Sequence, residues 1–257
     1  MTTPTIVRGR VRPVLGYAVG LLLGAVAWQV IGLHSSSQVF VTLTATLRRL
    51  GQLTKDGTLP HAMAQSFSSY AVGMVFAIVI GSLVGLLLAR RDMLRIALEP
   101  YLLALYAAPM VALIPFLLAL LGFGFWSKVV VVGTFAVFPV LLNTQQGAQS
   151  IAPELLDVAR SYRSRERDIW LHVVIPYTLP YLMTGVRQGL ARGLVGMIAG
   201  DFFLSSNGLG SMLIVASERF DTAEMLATTL VITIIGVILM AIGRGIERYF
   251  ARWRVSA

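Results

Sequence analysis

Six stretches of this chain run for about 20 residues with apolar side chains at most positions and almost no charge, the length a helix needs to cross the hydrocarbon of a bilayer. They are Val14 to Leu33, Gln65 to Ala89, Pro100 to Leu121, Val129 to Ser150, Tyr177 to Gly200 and Met225 to Gly243. The pattern predicts an all-α polytopic membrane protein with about six transmembrane helices. Composition agrees: 56% of the 257 residues are apolar and only 13% charged, and the mean hydropathy of +0.78 is too high for an ordinary soluble domain. Pro109 and Pro115 inside the third stretch predict kinks, since neighbouring helices can satisfy freed carbonyls. Arg8, Arg10 and Arg12 precede the first stretch in the manner of a signal peptide, but no small-residue cleavage site follows, so it is read as a first span. Between the first two stretches, Phe40, Leu43, Leu47, Leu50 and Leu53 recur every three or four residues, with Thr44, Arg48, Arg49 and Gln52 elsewhere on the wheel. That is the pattern of a helix lying in the membrane interface.

Other classes are excluded by what is missing. Cys is absent, which rules out disulfides and thiolate metal sites, and His34, His61 and His172 are too scattered for a metal cluster, so neither metal nor cofactor is expected. A formal charge of +9 would suggest nucleic acid in a soluble protein. In a chain this apolar the excess cations set membrane orientation instead, and no nucleic-acid partner is expected. No catalytic constellation is visible, and no Gly-x-x-x-x-Gly-Lys phosphate cradle, so any ATP hydrolysis belongs to another polypeptide.

The segment from Pro153 to Pro176 is dense in charge and lies between two apolar stretches. It reads as two short helices back to back. Pro153 and Glu154 suit the first turn of one, where a missing N–H costs nothing and a carboxylate meets the positive end of the dipole. Ser164 and Glu166 suit the start of the second, which Pro176 should limit. Two spans need no such hairpin merely to be joined, so it reads as a docking element for a soluble partner.

Fourteen arginines lie in the loops and tails on the hairpin's side, against five cations (Arg48, Arg49, Lys55, Lys128 and Arg219) on the other; Arg187 and Arg192 fall inside the fifth stretch. The positive-inside rule then places both termini and the hairpin in the cytoplasm, with the chain multi-pass in the membrane. The Arg-rich tail, Arg244 to Arg254, is expected to meet anionic lipid heads.

These residues resemble the membrane-spanning permease subunits of bacterial ABC importers, most closely the nitrate, sulfonate and taurine branch. The family's EAA loop runs Glu-Ala-Ala, three residues, Gly, nine residues, Ile, one residue, Leu-Pro. Here Asp157-Val158-Ala159, Arg163, Val173 and Ile175-Pro176 keep that spacing. Further matches are Pro109 with Ala112-Leu113-Ile114-Pro115, Gly122-Phe123-Gly124, Gly185 with Arg187, Asn207-Gly208-Leu209-Gly210, and Gly236 with Arg248 and Trp253, so the likeness covers about Gln65 to Arg254. The resemblance implies the fold of a type I importer's transmembrane domain. It divides the chain into residues 1–62, holding the tail, first span and interfacial helix, and a core permease domain at 63–257 whose coupling loop is 153–176. It also implies two cytoplasmic ATPase subunits contacting Asp157, Val158, Ala159, Arg160, Arg163, Arg167 and Asp168. A second permease copy or close homologue, surrounding lipid and an extracytoplasmic solute-binding protein complete the assembly. Asn207 to Gly210 would lead into a short outer helix. Arg163 stands where the family has Gly, and a turn on an arginine would be strained. The turn is therefore expected on Ser161 or Ser164, or the hairpin takes another shape.

Guanidinium groups deep in a span cost several kcal/mol unless they face water or a partner. Arg187 and Arg192 are therefore candidates for a path favouring anions, or else structural cations paired with a carboxylate such as Asp201 or reaching an interface. Gln65, Ser69 and Asn143 are the next candidates for the path, against the alternative of hydrogen bonds between helices. A gradient-driven secondary transporter or channel is the rival. It would favour buried carboxylates or internal repeats, whereas the span interiors carry arginines and no repeat is detected.

Overall fold

Every described element of the computed structural model, which covers residues 11–36, 39–204 and 207–250 with side chains from residue 16 onward, is helical. In chain order these are α1 (Val11–His34), α2 (Leu43–Lys55), α3 (Thr58–Arg90), α4 (Asp92–Ala107), a 3-10 turn (Met110–Leu113) and α5 (Ile114–Leu121). There follow α6 (Phe125–Gln149), α7 (Pro153–Ser161), α8 (Glu166–Ile169), a π-helical turn (Trp170–Val174), α9 (Ile175–Leu204), α10 (Leu209–Glu218) and α11 (Thr222–Phe250). Arg8, Arg10, Arg252, Trp253 and Arg254 lie outside the described residues, as does the side chain of Arg12.

Five helices are long and apolar enough to cross a membrane, and a bent pair makes a sixth: Asp92–Ala107 and Met110–Leu121 meet at 93°. The third apolar stretch is thus broken, where the sequence predicted kinks. The residue before a proline is pushed out of the helical region, and Ala108 takes φ −62°, ψ 145°. No residue of α4 is buried, so little packing surrounds the carbonyls that a continued bend would free. Pro115 sits harmlessly in the first turn of α5.

The core is α3, α6 and α9, packed so closely that glycine is needed along the contacts. A Cβ on Gly73 or Gly81 of α3 would lie 2.7 or 2.9 Å from Val132 or Val140 of α6. On α9, a Cβ on Gly185 would stand 2.8 Å from the backbone oxygen of Pro139, and one on Gly193 2.8 Å from Met74 Sδ. Small residues matter here because lipid supplies no hydrophobic force to drive helices together, so close backbone approach must do so. Val131, Val132, Ala136 and Val140 make α6 the hub, each fully enclosed. By contrast α1 is largely exposed. It is fastened by Trp28 Nε1 donating to Val41 O at 3.1 Å and by Gln29 bonding both the amide and hydroxyl of Thr44.

The helices alternate in direction, which gives the bundle two ends. One carries α7 and α8, here called the elbow end; the other carries α2 and α10. The helix expected between the first two spans forms as α2, capped by Thr42 Oγ1 accepting from Ala45 N, but its apolar face is divided: Leu53 is buried and Leu47 faces outward. Arg49 fixes it to α11 through Glu224 at 2.6 Å and Asp221 at 3.2 Å. Two helices outrun their predicted windows, α9 reaching Leu204 and α11 reaching Phe250. They therefore carry Asp201 and Glu247, each three residues from its helix's end, as carboxylates within reach of the bundle.

Candidate coupling elbow and intramembrane charge sites

Both helices of the elbow form, but its turn differs from expectation. It falls on Arg163 itself, at φ +56°. Ser164 N–H donates to Ala159 O at 3.3 Å and Arg163 N–H to Arg160 O at 2.8 Å, a pair of bonds that ends α7 in the manner usually given to glycine. These two carbonyls, otherwise orphaned at a helix end, are what hold an arginine in the left-handed region. The second helix starts at Glu166 with Arg165 at its cap; Ser164 does not cap it. Pro176 does not stop the chain either. The π-helical turn shifts the hydrogen-bond ladder by one residue just before it, and the helical path continues from Glu166 to Leu204, 39 residues.

The elbow has its own small core of Ile151, Ile169 and Val174, flanked by Leu156, Ala159, Trp170 and Val173. Tyr177 OH donates to Ser150 O at 3.2 Å, and Arg90 at the end of α3 lies 5.5 Å over the Trp170 ring. The outward face is open: Leu155, Val158 and Tyr162 recur at helical spacing along α7 and are exposed, Tyr162 by 81%. Asp157 and Arg160 are mainly exposed and form a loose pair at 3.4 Å. Arg163, Arg167 and Asp168 also face outward, and Ala159 is half-buried against the small core.

Within the spans the structure separates the candidate path residues. Successive α9 residues turn by about 100°, so five positions put roughly 140° between Arg187 and Arg192. Arg187 faces α11, its Nε 2.7 Å from Glu247 Oε2, while Thr184 Oγ1 donates to Glu247 Oε1 at 2.7 Å. The exposed Arg192 faces α4. Its Nη2 donates to Tyr106 OH at 3.2 Å and its guanidinium lies 4.9 Å over that ring. Asn143 is half-buried on α6; its Nδ2 donates to Pro139 O at 2.8 Å and to Gln188 Oε1 at 3.3 Å. Gln65 lies 2.8 Å from His61 near the start of α3. Ser69 is fully enclosed and donates to Ser66 O.

Asp201 pairs with neither arginine. At the α10 end it accepts from Lys128 Nζ on Oδ1 at 2.8 Å and from Ser66 Oγ on Oδ2 at 2.5 Å, and Asp201 is fully buried while Lys128 is 6% exposed. Ser66 Oγ in turn accepts from Leu209 N at 2.9 Å, and Gly210 N reaches Asp201 Oδ2 at 3.4 Å. One carboxylate thus ties α6, α3 and the first turn of α10 to α9. Gly208, at φ +127°, lies so close that a Cβ there would overlap the carboxylate. The sequence reading counted Lys128 as a loop charge; it is an internal one. Its partnership with Asp201 had a signal in the sequence, because Lys128 begins one apolar run and Asp201 ends the next. In consecutive antiparallel spans those positions lie at the same depth.

A family model described as the binding-protein-dependent transport system inner membrane component matches residues 77–255. The riboflavin transport system permease protein RibX of Chloroflexus aurantiacus is 31% identical over 246 residues, covering 95% of this chain and 92% of that protein. The putative aliphatic sulfonates transport permease protein SsuC of Bacillus subtilis is 28% identical over 246 residues, covering 94% and 89%. The taurine transport system permease protein TauC of Escherichia coli is 27% identical over 198 residues, covering 77% and 72%. Among solved structures, an inward-facing form of the MetNI methionine ABC transporter superposes with a TM-score of 0.68 over 77% of this chain and 98% of that one. At 18% identity that likeness speaks for the fold, the transmembrane domain of a type I ABC importer. The chain belongs to the family of binding-protein-dependent transport system inner membrane components, as an ABC importer permease of the nitrate, sulfonate and taurine branch.

Proposed function

We propose that this permease moves a small anionic or sulfonate-like solute, delivered by an extracytoplasmic binding protein, and that two cytoplasmic ATPase subunits drive it through the elbow at Pro153 to Pro176. Two copies of the chain, or one and a close homologue, enclose the path. The observation that carries the reading is mechanical. The exposed Leu155, Val158 and Tyr162 face of α7 is braced by the small core of Ile151, Ile169 and Val174. The helical path from Glu166 to Leu204 then runs from that core past Arg187 and Arg192 to Asp201. A push on α7 is transmitted along one helical path, because α9, although its ladder lacks the Pro180 N–H, packs its glycine face against α6. Asp157, Arg160, Arg163, Arg167 and Asp168 surround the apolar stripe as the polar rim of a protein contact. The ATPase subunits supply the hydrolysis and this chain the path.

With Lys128 withdrawn into the core, the non-elbow side keeps four of its five counted cations, a deeper asymmetry that supports reading the elbow as cytoplasmic. Arg192 is the strongest candidate for meeting the anion. Stacking on Tyr106 occupies the guanidinium's face and one N–H, leaving other in-plane donors for a ligand. Asn143, Gln65 and Arg187 line the same reading more weakly, and Ser69, enclosed by its own chain, serves α3.

Coexpression with the ATPase encoded beside it tests the coupling. Reversing charges across Arg160 to Asp168 should uncouple or dissociate the complex, and an intact, transporting complex would sink the proposal. The chain has no native cysteine. Ser164→Cys therefore gives a single label, expected to react only after the cells are opened.

A further inference from the structure

The inner side of the elbow holds a cavity that the coupling reading touches only through Arg160. Between the end of α3 and the underside of α7 and α8 lies a cavity of 410 Å³, lined by Arg90, Arg91, Arg160, Glu166 and Trp170 over an apolar floor. Three guanidinium groups share it with one carboxylate. Among the described residues Arg90 and Arg91 form no ion pair, and Arg160 has only the loose contact with exposed Asp157. Like charges gathered around one cavity repel, and the arrangement becomes favourable when an anion sits among them. Arg90 rests on the face of Trp170, which leaves its in-plane N–H groups free, and a planar guanidinium fork matches the oxygens of a phosphate.

We propose that this cavity is a binding site for a phosphate ester, the headgroup of an anionic phospholipid. Position favours the lipid over phosphate from solution. Arg90 ends a membrane-spanning helix, where headgroups are found, and Leu83 and Leu87 precede it at intervals of four and three on the same face of α3. Both leucines are exposed, 64% and 49%, and make an apolar strip leading to the mouth of the cavity, along which an acyl chain lies when the headgroup is seated. The site shares Arg160 with the polar rim of the proposed ATPase contact but not its apolar stripe. On α7, Leu156 and Arg160 turn toward the cavity, whereas Leu155, Val158 and Tyr162 point more than about 100° away. A seated phosphate joins α3 to the elbow, two elements otherwise linked there by the stacking of Arg90 on Trp170.

The test uses the full chain in nanodiscs of phosphatidylcholine with and without phosphatidylglycerol, and a third arm of phosphatidylcholine with inorganic phosphate. Lipid retained on gentle release is counted by native mass spectrometry, alongside the thermal midpoint. Phosphatidylglycerol retention should fall about tenfold or more in Arg90→Gln/Arg91→Gln, given the usual attraction of each surface arginine for an anionic lipid. It should fall by a clearly smaller factor in Arg244→Gln/Arg248→Gln, an exposed cationic pair at the same end on α11 that meets headgroups without a cavity to hold one. Arg90→Lys keeps the charge and removes the fork; intermediate retention would support the site should the double variant prove unstable. Stabilisation by inorganic phosphate, lost in the double variant and without any preference for phosphatidylglycerol, would keep the anion site and overturn the lipid as its source. Equal loss of phosphatidylglycerol in both double variants, or no response to either anion, would overturn the proposal.

Discussion

The two ends of this bundle treat charge in opposite ways. At the α10 end Lys128 and Asp201 are buried and matched, with Ser66 and the amides of Leu209 and Gly210 completing the cluster, and Arg49 is held by two carboxylates. At the elbow end Arg90 and Arg91 make no ion pair among the described residues, and Asp157 and Arg160 meet loosely with side chains 72% and 60% exposed. A buried charge must be paired in place, so the first cluster holds a geometry. An exposed charge is already hydrated and exchanges partners at little cost, so the second can be taken up by another molecule. The difference suits the proposed coupling, in which the elbow end takes the push and the α10 end is anchored.

The largest expected effect comes from breaking the anchored end. Asp201→Asn leaves Lys128 buried without its counter-charge and should cost about 3–5 kcal/mol of stability, read as a lowered thermal midpoint in detergent or nanodiscs. Replacing both partners with apolar residues of similar size, Lys128→Met with Asp201→Leu, should recover a large part of that loss, because no uncompensated charge remains. If the single variant loses under about 1 kcal/mol, the contrast between the two ends is wrong. Ser66→Ala is the milder form. It strands the Leu209 amide at the start of α10 and should cost about 1–3 kcal/mol, with hydrogen exchange rising first around 209–212.

Next in size is the packing that joins the two ends. Gly185→Ala places a methyl group 2.8 Å from the backbone oxygen of Pro139, and backbone cannot swing aside as the end of a side chain can. A loss of about 1–3 kcal/mol is expected, with α6 and α9 forced apart. Gly16→Ala on α1 is the control, since nothing lies within 4 Å of a Cβ there and α1 is largely exposed. It should be neutral or slightly stabilising, since alanine favours a helix over glycine.

Much of this was legible in the sequence, because span length and elbow spacing are local properties. A window of about 20 apolar residues needs no tertiary information, and Pro153 and Glu154 announce the start of α7 by their own chemistry. The break at Pro109 was not legible, since whether a proline kinks or ends a span depends on a neighbour that could satisfy the freed carbonyls, and α4 has no buried face to provide one. The charge partners were missed for a different reason. Apolar windows were cut at Gly200 and Gly243, just short of Asp201 and Glu247, although the helices run on through both. Counting depth along antiparallel spans, rather than apolar length alone, would have set Lys128 beside Asp201. Arg163 was misjudged because its side chain was weighed without the two carbonyls that its backbone conformation satisfies.

The smallest effects belong to the elbow, and they sharpen the comparison by their size. Removing the exposed pair with Asp157→Asn should change stability by under about 0.5 kcal/mol, an order of magnitude less than Asp201→Asn, although both replace a carboxylate that faces a cation. Arg163→Gly should act in the other direction. Its backbone sits at φ +56°, a region that costs an L-residue with a Cβ about 1 kcal/mol and costs glycine nothing. The bonds from Ser164 to Ala159 and from Arg163 to Arg160 involve only backbone atoms and survive the change. Against this, glycine loses more freedom on folding by about 0.5–1 kcal/mol, so the net gain should be under about 0.5 kcal/mol, seen as slower hydrogen exchange at residues 160 to 164 with α9 unaffected. A stabilised elbow that couples less well to the ATPase would show that the Arg163 side chain contributes to the contact, and that the arginine is retained there at some cost to the fold of the turn.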